Sequence, residues 1–381
     1  MITSRRVFLR FGAGAAATAA SWPLKAVAAP PRFEPSRSGS SDGLIYLYSN
    51  ENAYGASPKV ADALRAAVES ANRYPRLHYH DVIEQIAAVH HVAPEHVLLG
   101  CGSTEILRTA AFAFAAHGKQ LIHASPTFEA IEHYSQTVNA KITAVPLTSG
   151  FAHDLDAMLA RANEGSGLVY ICNPNNPTAS LTTRSDLENF IAKLPSSAIV
   201  LIDEAYHHYA GASGMYASFL DRPIDDEKVI VARTFSKVYG LAGMRLGYAI
   251  ASPKIVQQMR IFSNEDNINA MVTQAASVAL NDTDSTRDFI QRNANDRQEF
   301  FNQAMARALK PIDSHTNFVM MNTFHPAEKV IQHFRKNNIM IGRRFPAMDT
   351  HIRVSLGRPE EMLAFWRVWD LLPFSKNIMH H

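Results

Sequence analysis

Cysteine is nearly absent: Cys101 and Cys172 are the only two in 381 residues. A disulfide scaffold is therefore excluded. Each cysteine closes an apolar run, so both read as buried free thiols. Long hydrophobic stretches are missing as well. The one near the N-terminus is short and rich in Ala and Gly, and no later run reaches the length of a membrane-spanning helix. Charge of one sign is not in excess. The formal net charge is +2 with histidine neutral, which gives no pull toward nucleic acid or an anionic membrane surface. Fixed-period repeats are absent. Histidine is present 17 times, yet no H-E-x-x-H zinc signature occurs. The pairs His90–His91 and His207–His208 keep a metal alternative open, since Asp203 and His207 at four-residue spacing share one face of a helix.

What remains is an ordinary globular balance, 47% hydrophobic and 19% charged, in a chain long enough for one large and one smaller domain. The first residues differ from the rest. Paired arginines, Arg5 and Arg6, precede the Ala/Gly-rich run, and a small-residue site follows at Ala26-Val27-Ala28. This is the layout of an export signal of the Tat type over residues 1–28, with a periplasmic destination, or a cytoplasmic one if the signal does not operate. Residues 29–77 read as an N-terminal arm and part of a small domain.

From there the pattern alternates. Short runs rich in Val, Ile and Leu ("HVLLG", "QLIHA", "KITAVPL", "GLVYIC", "AIVLID", "KVIVAR", "RLGYAIA") are separated by helix-like segments. Strands that are apolar throughout are buried on both faces, which predicts an α/β domain with a mostly parallel seven-stranded sheet over residues 78–282. The tail, residues 283–381, opens with a long helical segment. It then alternates "NFVMMN", "AEKVIQHFRKN", "IMIG", "HIRVSL" and "PEEMLAFWRVWDLL", a smaller α+β domain.

Ligands of an open parallel sheet collect at the carboxyl ends of its strands. There the sequence places "CGSTE", "SPTFEA", "NPNNPTA", "DEAY" and "TFSK". Lys237 is followed eight residues on by Arg245, framed by Gly243 and Gly247. A like charge and partial burial lower a lysine pKa and expose a nucleophilic amine that forms imines with aldehydes. Arg245 suits a phosphate. Ser103 and Thr104 stand where a helix begins, a natural anion site or a plain cap. Asp203 ends a strand, where a carboxylate needs a cationic partner such as a pyridinium nitrogen, or serves as an N-cap. Each of these residues alone is compatible with ordinary loop chemistry.

Together they resemble the pyridoxal-phosphate-dependent aminotransferases of fold type I, class I/II. The likeness is to the histidinol-phosphate aminotransferase branch, through "SNENAYGASP" (49–58), "NRYP" (72–75), "GSTE" (102–105), "NPNNPTA" (173–179), "DEAY" (203–206) and "HTNF" (315–318). The resemblance runs over residues 45–371. It implies pyridoxal 5'-phosphate joined to Lys237, with Asp203 at the ring nitrogen. Asn176 and Tyr206 would bond the ring oxygen, and Phe128 would stack on the ring. Ser103, Thr104, Ser236 and Arg245 would hold the phosphate. Tyr74 would reach the phosphate of a neighbouring subunit, which implies a homodimer with shared active sites. Arg353 would grip the substrate's acidic group, Arg343 would add a second anion contact, and Asn52 would lie near the substrate. The implied reaction moves an amino group from an amino acid or amino-alcohol phosphate to 2-oxoglutarate by ping-pong kinetics.

Two departures stand out. Ala179 replaces the glycine usual after Asn-Pro-Thr, and the N-terminal stretch "PRFEPSRSGSSDG" lacks the Pro-Tyr element that helps bind substrate phosphate in that branch. Donors of another kind, aromatic amino acids among them, therefore compete with histidinol phosphate. The same residues also leave room for a decarboxylase or lyase of the same fold, and for a non-catalytic exported binding protein.

Overall fold

The computed structural model describes residues 43–165, 167–220 and 227–373. The expected export signal lies outside the described residues. In chain order the elements are β1 (Ile45–Leu47), α1 (Pro58–Ala67), α2 (Arg76–Val89), β2 (Val97–Gly100), α3 (Ser103–Phe114), β3 (Gln120–Ser125), α4 (Ala130–Thr137), β4 (Lys141–Pro146), α5 (Leu155–Asn163), β5 (Leu168–Cys172), α6 (Arg184–Lys193), β6 (Ile199–Asp203), α7 (His207–Ala210), β7 (Val229–Thr234), β8 (Gly247–Ile250), α8 (Pro253–Arg260), α9 (Ala270–Asn281), α10 (Thr283–Met305), β9 (Lys310–Pro311), β10 (Phe318–Asn322), α11 (Ala327–Lys336), β11 (Ile339–Ile341), β12 (His351–Ser355) and α12 (Pro359–Asp370).

Seven strands form the main sheet in the order β2-β8-β7-β6-β5-β3-β4. All seven apolar runs of the sequence are its members. The core strands β5, β6 and β7 run parallel and, apart from half-buried Ile199, are buried at every position, as expected for a sheet covered on both faces. Alternate residues serve opposite sides. Val169, Ile171, Val200 and Ile202 join one apolar cluster with α2 and α9, whereas Tyr170, Cys172, Leu201 and Ala232 join another with α3 and α8. Fully burying a Val, Leu or Ile side chain contributes about 1.5–3 kcal/mol, so these two layers dominate the stability of the sheet.

The strand that breaks the parallel rule is β8. It runs antiparallel to both β7 and β2. The connection between β7 and β8, which carries Lys237 and Arg245, contains only a short 3-10 turn at Ala242–Met244 and no crossover helix, so the chain returns antiparallel.

A third apolar cluster lies in the tail, where β10 pairs antiparallel with β12 and β9. Phe300, Phe334, Phe365 and Trp366 fill its centre, with Phe334 stacked on Phe365 at 4.6 Å between ring centres. β1 pairs in parallel with β11, so the N-terminal segment completes this smaller layer. Residues 58–67 belong with the large sheet. α1 packs against α9 and buries Val60 in the core of the large sheet. Ser57 caps α1 by accepting from the Val60 amide, and Pro58 opens its first turn.

Candidate active site

A cavity of about 440 Å³ opens at the carboxyl ends of β5, β6 and β7. Its walls include Ser103, Thr104, Phe128, Asn176, Asp203, Tyr206, Ser236, Lys237, Arg245, Arg343 and Arg353. Of the residues expected at the site, all but Asn52 and Tyr74 thus meet in one place.

Lys237 sits between the sheet and the segment before α1. Its Nζ donates to the carbonyls of Asn50 at 3.0 Å and Ser49 at 3.3 Å. Burial lowers its pKa to about 8, and the Arg353 guanidinium adds to the effect. The carboxylates Glu51 and Asp203 oppose the shift, and Arg245 contributes a smaller lowering. The like-charge effect expected from Arg245 is therefore real but minor. Burial and Arg353, which is distant in sequence, do more.

Asp203 ends β6 and is 2% exposed. Its Oδ2 accepts from the Tyr170 hydroxyl at 2.9 Å and its Oδ1 from the Ala205 amide at 3.1 Å. Burial pushes the carboxyl up to about 6, against the lowering effect of these two bonds. Behind it, Glu204 turns the other way and pairs with buried Arg233 at 2.8 Å. Ser218 donates to Glu204 at 2.7 Å and the Phe219 amide donates at 2.8 Å. His207 contacts Arg233 and lies on His208, with ring centres 3.6 Å apart. These histidines brace the back of the sheet, and Asp203 is engaged elsewhere.

The phosphate end is built from backbone and cations. Gly102, with φ 76°, is the N-cap of α3 and provides no side-chain cap, so the first amides of the helix stay free to bind near Ser103 and Thr104. A Cβ on Gly102 would lie 2.1 Å from Arg245 Nη2, and one on Gly247 would lie 2.3 Å from the Ser103 amide. Both glycines let the guanidinium and the helix start close together. Arg245, in the left-handed region at φ 58°, donates to Thr104 Oγ1 at 3.1 Å, Ser236 Oγ at 3.3 Å and the Ala242 carbonyl at 3.0 Å. Among the described residues it has no carboxylate partner. A cation held only by neutral groups at a helix start is suited to a dianionic phosphate.

Arg353 stands opposite. It donates to Asn176 Oδ1 at 2.7 Å and to the Tyr48 carbonyl at 2.6 Å, while its buried Nε has no partner. The guanidinium lines the cavity and has no carboxylate partner among the described residues, which suits an anion grip. Arg343 lines the same cavity but forms an ion pair with Glu129, next to Phe128.

Two expectations are displaced. Asn52 is not part of the cavity wall. Its Nδ2 donates to the Val238 carbonyl at 2.8 Å and its Oδ1 accepts from the Tyr54 amide, so it stitches the loop beside Lys237. Tyr74 is 73% exposed on the connection between α1 and α2, outside this chain's own cavity. Cys172 is buried, whereas Cys101 is only partly so, because it belongs to the open turn before α3. Ala179 adopts φ 62° while fully buried, which costs about 1–2 kcal/mol that a glycine would not incur.

The sequence pattern did not single out Asn50, Tyr170, Asn317 and Glu129. Asn50 lies two residues from the favoured Asn52, and its backbone at φ 54° turns its side chain onto Tyr206. Its Nδ2 donates to the Tyr206 hydroxyl at 3.0 Å and its amide donates to Ser355 Oγ at 2.8 Å. Asn317, in "HTNF", donates to the Asn50 and Glu51 carbonyls. For Tyr170 the signal was a tyrosine inside an aliphatic strand. For Asn50 it was an asparagine ahead of a Gly-bearing loop, where left-handed backbone is frequent.

An amine of lowered pKa, a buried acid one strand away and a phosphate cradle at a helix start fit pyridoxal 5'-phosphate. On this sheet they define a fold type I transaminase that uses that cofactor. The chain belongs to the aminotransferase class I and II family, whose profile matches residues 42–365. A relative from Carboxydothermus hydrogenoformans, named histidinol-phosphate aminotransferase 2, is 35% identical over 84% of this chain and 88% of its own. A histidinol-phosphate aminotransferase of Staphylococcus saprophyticus is 34% identical over 87% of this chain and 92% of its own. The solved histidinol-phosphate aminotransferase of Sinorhizobium meliloti, in complex with pyridoxal-5'-phosphate, superposes with a TM-score of 0.81 at 25% identity, covering 92% of this chain and 99% of that one.

Proposed function

We propose that this transaminase takes the amino group of histidinol phosphate, or of an amino acid bearing one acidic group, and delivers it to 2-oxoglutarate in two half-reactions with ping-pong kinetics. Pyridoxal phosphate supplies an aldehyde that condenses with amines and a ring that accepts electron density from the breaking bond. The residues of this chain do the rest. Arg245, Ser236, Ser103 and Thr104 bind the phosphate. Asp203 holds a proton at the ring nitrogen, Asn176 and Tyr206 steady the ring oxygen, and Phe128 covers one face. Lys237 Nζ would hold the cofactor through its aldehyde and, once displaced by the substrate amine, would serve as the base that takes the substrate's α-proton and as the acid that gives a proton back. Its pKa of about 8 keeps a useful fraction of neutral amine near neutral pH. Arg353 orients the substrate through its acidic group, and Arg343 serves a second anion when Glu129 releases it.

The observation that carries this reading is Arg353, whose guanidinium lines the cavity near Lys237 with no carboxylate partner among the described residues. The test is a panel of amino donors, with histidinol phosphate and aromatic amino acids included, each offered with 2-oxoglutarate. Glutamate formation with parallel-line kinetics supports the reading. Carbon dioxide release without glutamate overturns it in favour of a decarboxylase.

Exposed Tyr74, with exposed Val68 nearby, supports a homodimer in which Tyr74 enters the partner's site. The twin arginines and the Ala26-Val27-Ala28 site support export to the periplasm. Sedimentation and sequencing of the mature N-terminus test these two readings.

A further inference from the structure

We propose that Tyr170 is a positioning residue for the transaminase reaction: through its hydroxyl it fixes the Asp203 carboxylate, in orientation and in charge, for the cofactor's ring nitrogen. This rests on the cofactor reading above and names a residue whose hydroxyl bonds Asp203.

Strand periodicity places the two residues together. In β5, Tyr170 and Cys172 point to the same side of the sheet, and Cys172 is the register partner of Asp203 on β6. Tyr170 is therefore diagonal to Asp203, within reach of a long side chain. It is fully buried, and its neighbours on that side include Leu168, Leu201, Ile230 and Ala232. A phenylalanine would fill the same volume among such neighbours. The hydroxyl adds nothing to packing there and would cost free energy if left unpaired. It is paired, to Asp203 Oδ2 at 2.9 Å.

Asp203 needs that bond. Among the described residues no cation lies in ion-pair contact with it, and a lone buried carboxylate takes up a proton unless hydrogen bonds hold its charge. The Tyr170 hydroxyl and the Ala205 amide do so, one on each oxygen. Holding both oxygens also fixes the plane of the carboxylate. Burial raises the Asp203 pKa and the Tyr170 bond is the leading opposing influence. The phenol itself is pushed well up, chiefly by burial, so it stays a donor throughout the working range. A protonated Asp203 cannot keep the ring nitrogen protonated, so a neighbour that sets this charge also sets how tightly the ring is held.

The experiment is Tyr170→Phe in the full chain. Cofactor is removed, and pyridoxal phosphate is titrated back at about pH 5 to 9 with binding followed by its visible absorbance. In the native protein affinity weakens as the pH falls through about 6, where Asp203 takes up a proton. In Tyr170→Phe we expect this midpoint to move up by about one pH unit, so that Kd rises about twofold at pH 7 and about 10-fold at pH 5, the effect of losing one hydrogen bond to a charged group. Asp203→Asn has no charge to set, so adding Tyr170→Phe to it should change Kd at pH 5 less than about twofold. An unmoved midpoint, or an equal loss in the Asp203→Asn background, would show that Tyr170 only fills space. Failure of the native protein to bind pyridoxal phosphate at all would instead bring down the cofactor reading and this proposal with it.

Discussion

The floor and the rim of the cavity are built on different terms. At the floor, Asp203, Tyr206 and Asn176 are buried, and each has hydrogen-bond partners that fix it. At the rim, Arg343 and Glu129 are half-exposed and hold mainly each other. The floor comes from strand ends of one sheet, so its geometry is inherited from the fold. The rim is assembled from a loop of the large sheet and a loop of the small one, so each chain can set it anew. Chemistry sits where side chains cannot move, and substrate choice sits where they can.

The sharpest test of the floor is Lys237→Ala. Turnover should fall roughly 10⁴-fold or more, with loss of the visible absorbance of lysine-bound cofactor, read by initial rates and spectroscopy. Gly102→Ala asks whether backbone is as strict as side chains. The methyl would meet the Arg245 guanidinium and would have to adopt a left-handed φ. Pyridoxal phosphate affinity should drop about 10- to 100-fold, as for the loss of one or two charge-assisted hydrogen bonds, measured by titration.

A pH series on cofactor capture is next in size. Lys237 holds fewer protons in the folded protein than in the unfolded chain between about 8 and its ordinary value of 10.5, so its contribution to stability rises with pH through that window. The rate at which the apoprotein captures pyridoxal phosphate should rise about tenfold per pH unit below about 8 and level off above it, followed by stopped-flow absorbance. The smallest effect belongs to the rim. Glu129→Gln frees Arg343, and KM for a donor with two acidic groups should fall by no more than about fivefold, since an exposed ion pair contributes about 1 kcal/mol or less. A larger change at the rim than at Gly102 would reverse the contrast.

Much of the floor was legible in the sequence because strand ends announce themselves. "AIVLID" and "KVIVAR" are unbroken apolar runs, and the residues just past them must lie where the sheet opens. Lys237, Asp203, Asn176 and the Ser103–Thr104 helix start all come from that rule plus the family motifs. The antiparallel course of β8 was not legible, because an apolar run carries no direction. Tyr170 was hidden because pattern reading counts it as one more hydrophobic residue, and only register shows that its hydroxyl meets Asp203. Asn52 was chosen over Asn50 because two asparagines in one loop cannot be ranked without knowing which backbone turns left-handed. Glu129 meets a residue 214 positions away, and no local signal encodes such a pair.

Asn50 carries a consequence for motion. Its amide is tied to Ser355 on β12, its side chain to Tyr206 above the large sheet, and its carbonyl to the lysine amine. Any hinge swing of the small layer must either snap the Ser355 tether or drag Asn50 off the tyrosine. In the second case its carbonyl is drawn from the lysine amine as well, so this one asparagine couples the placement of the small layer to the hydrogen bonding of the nucleophile.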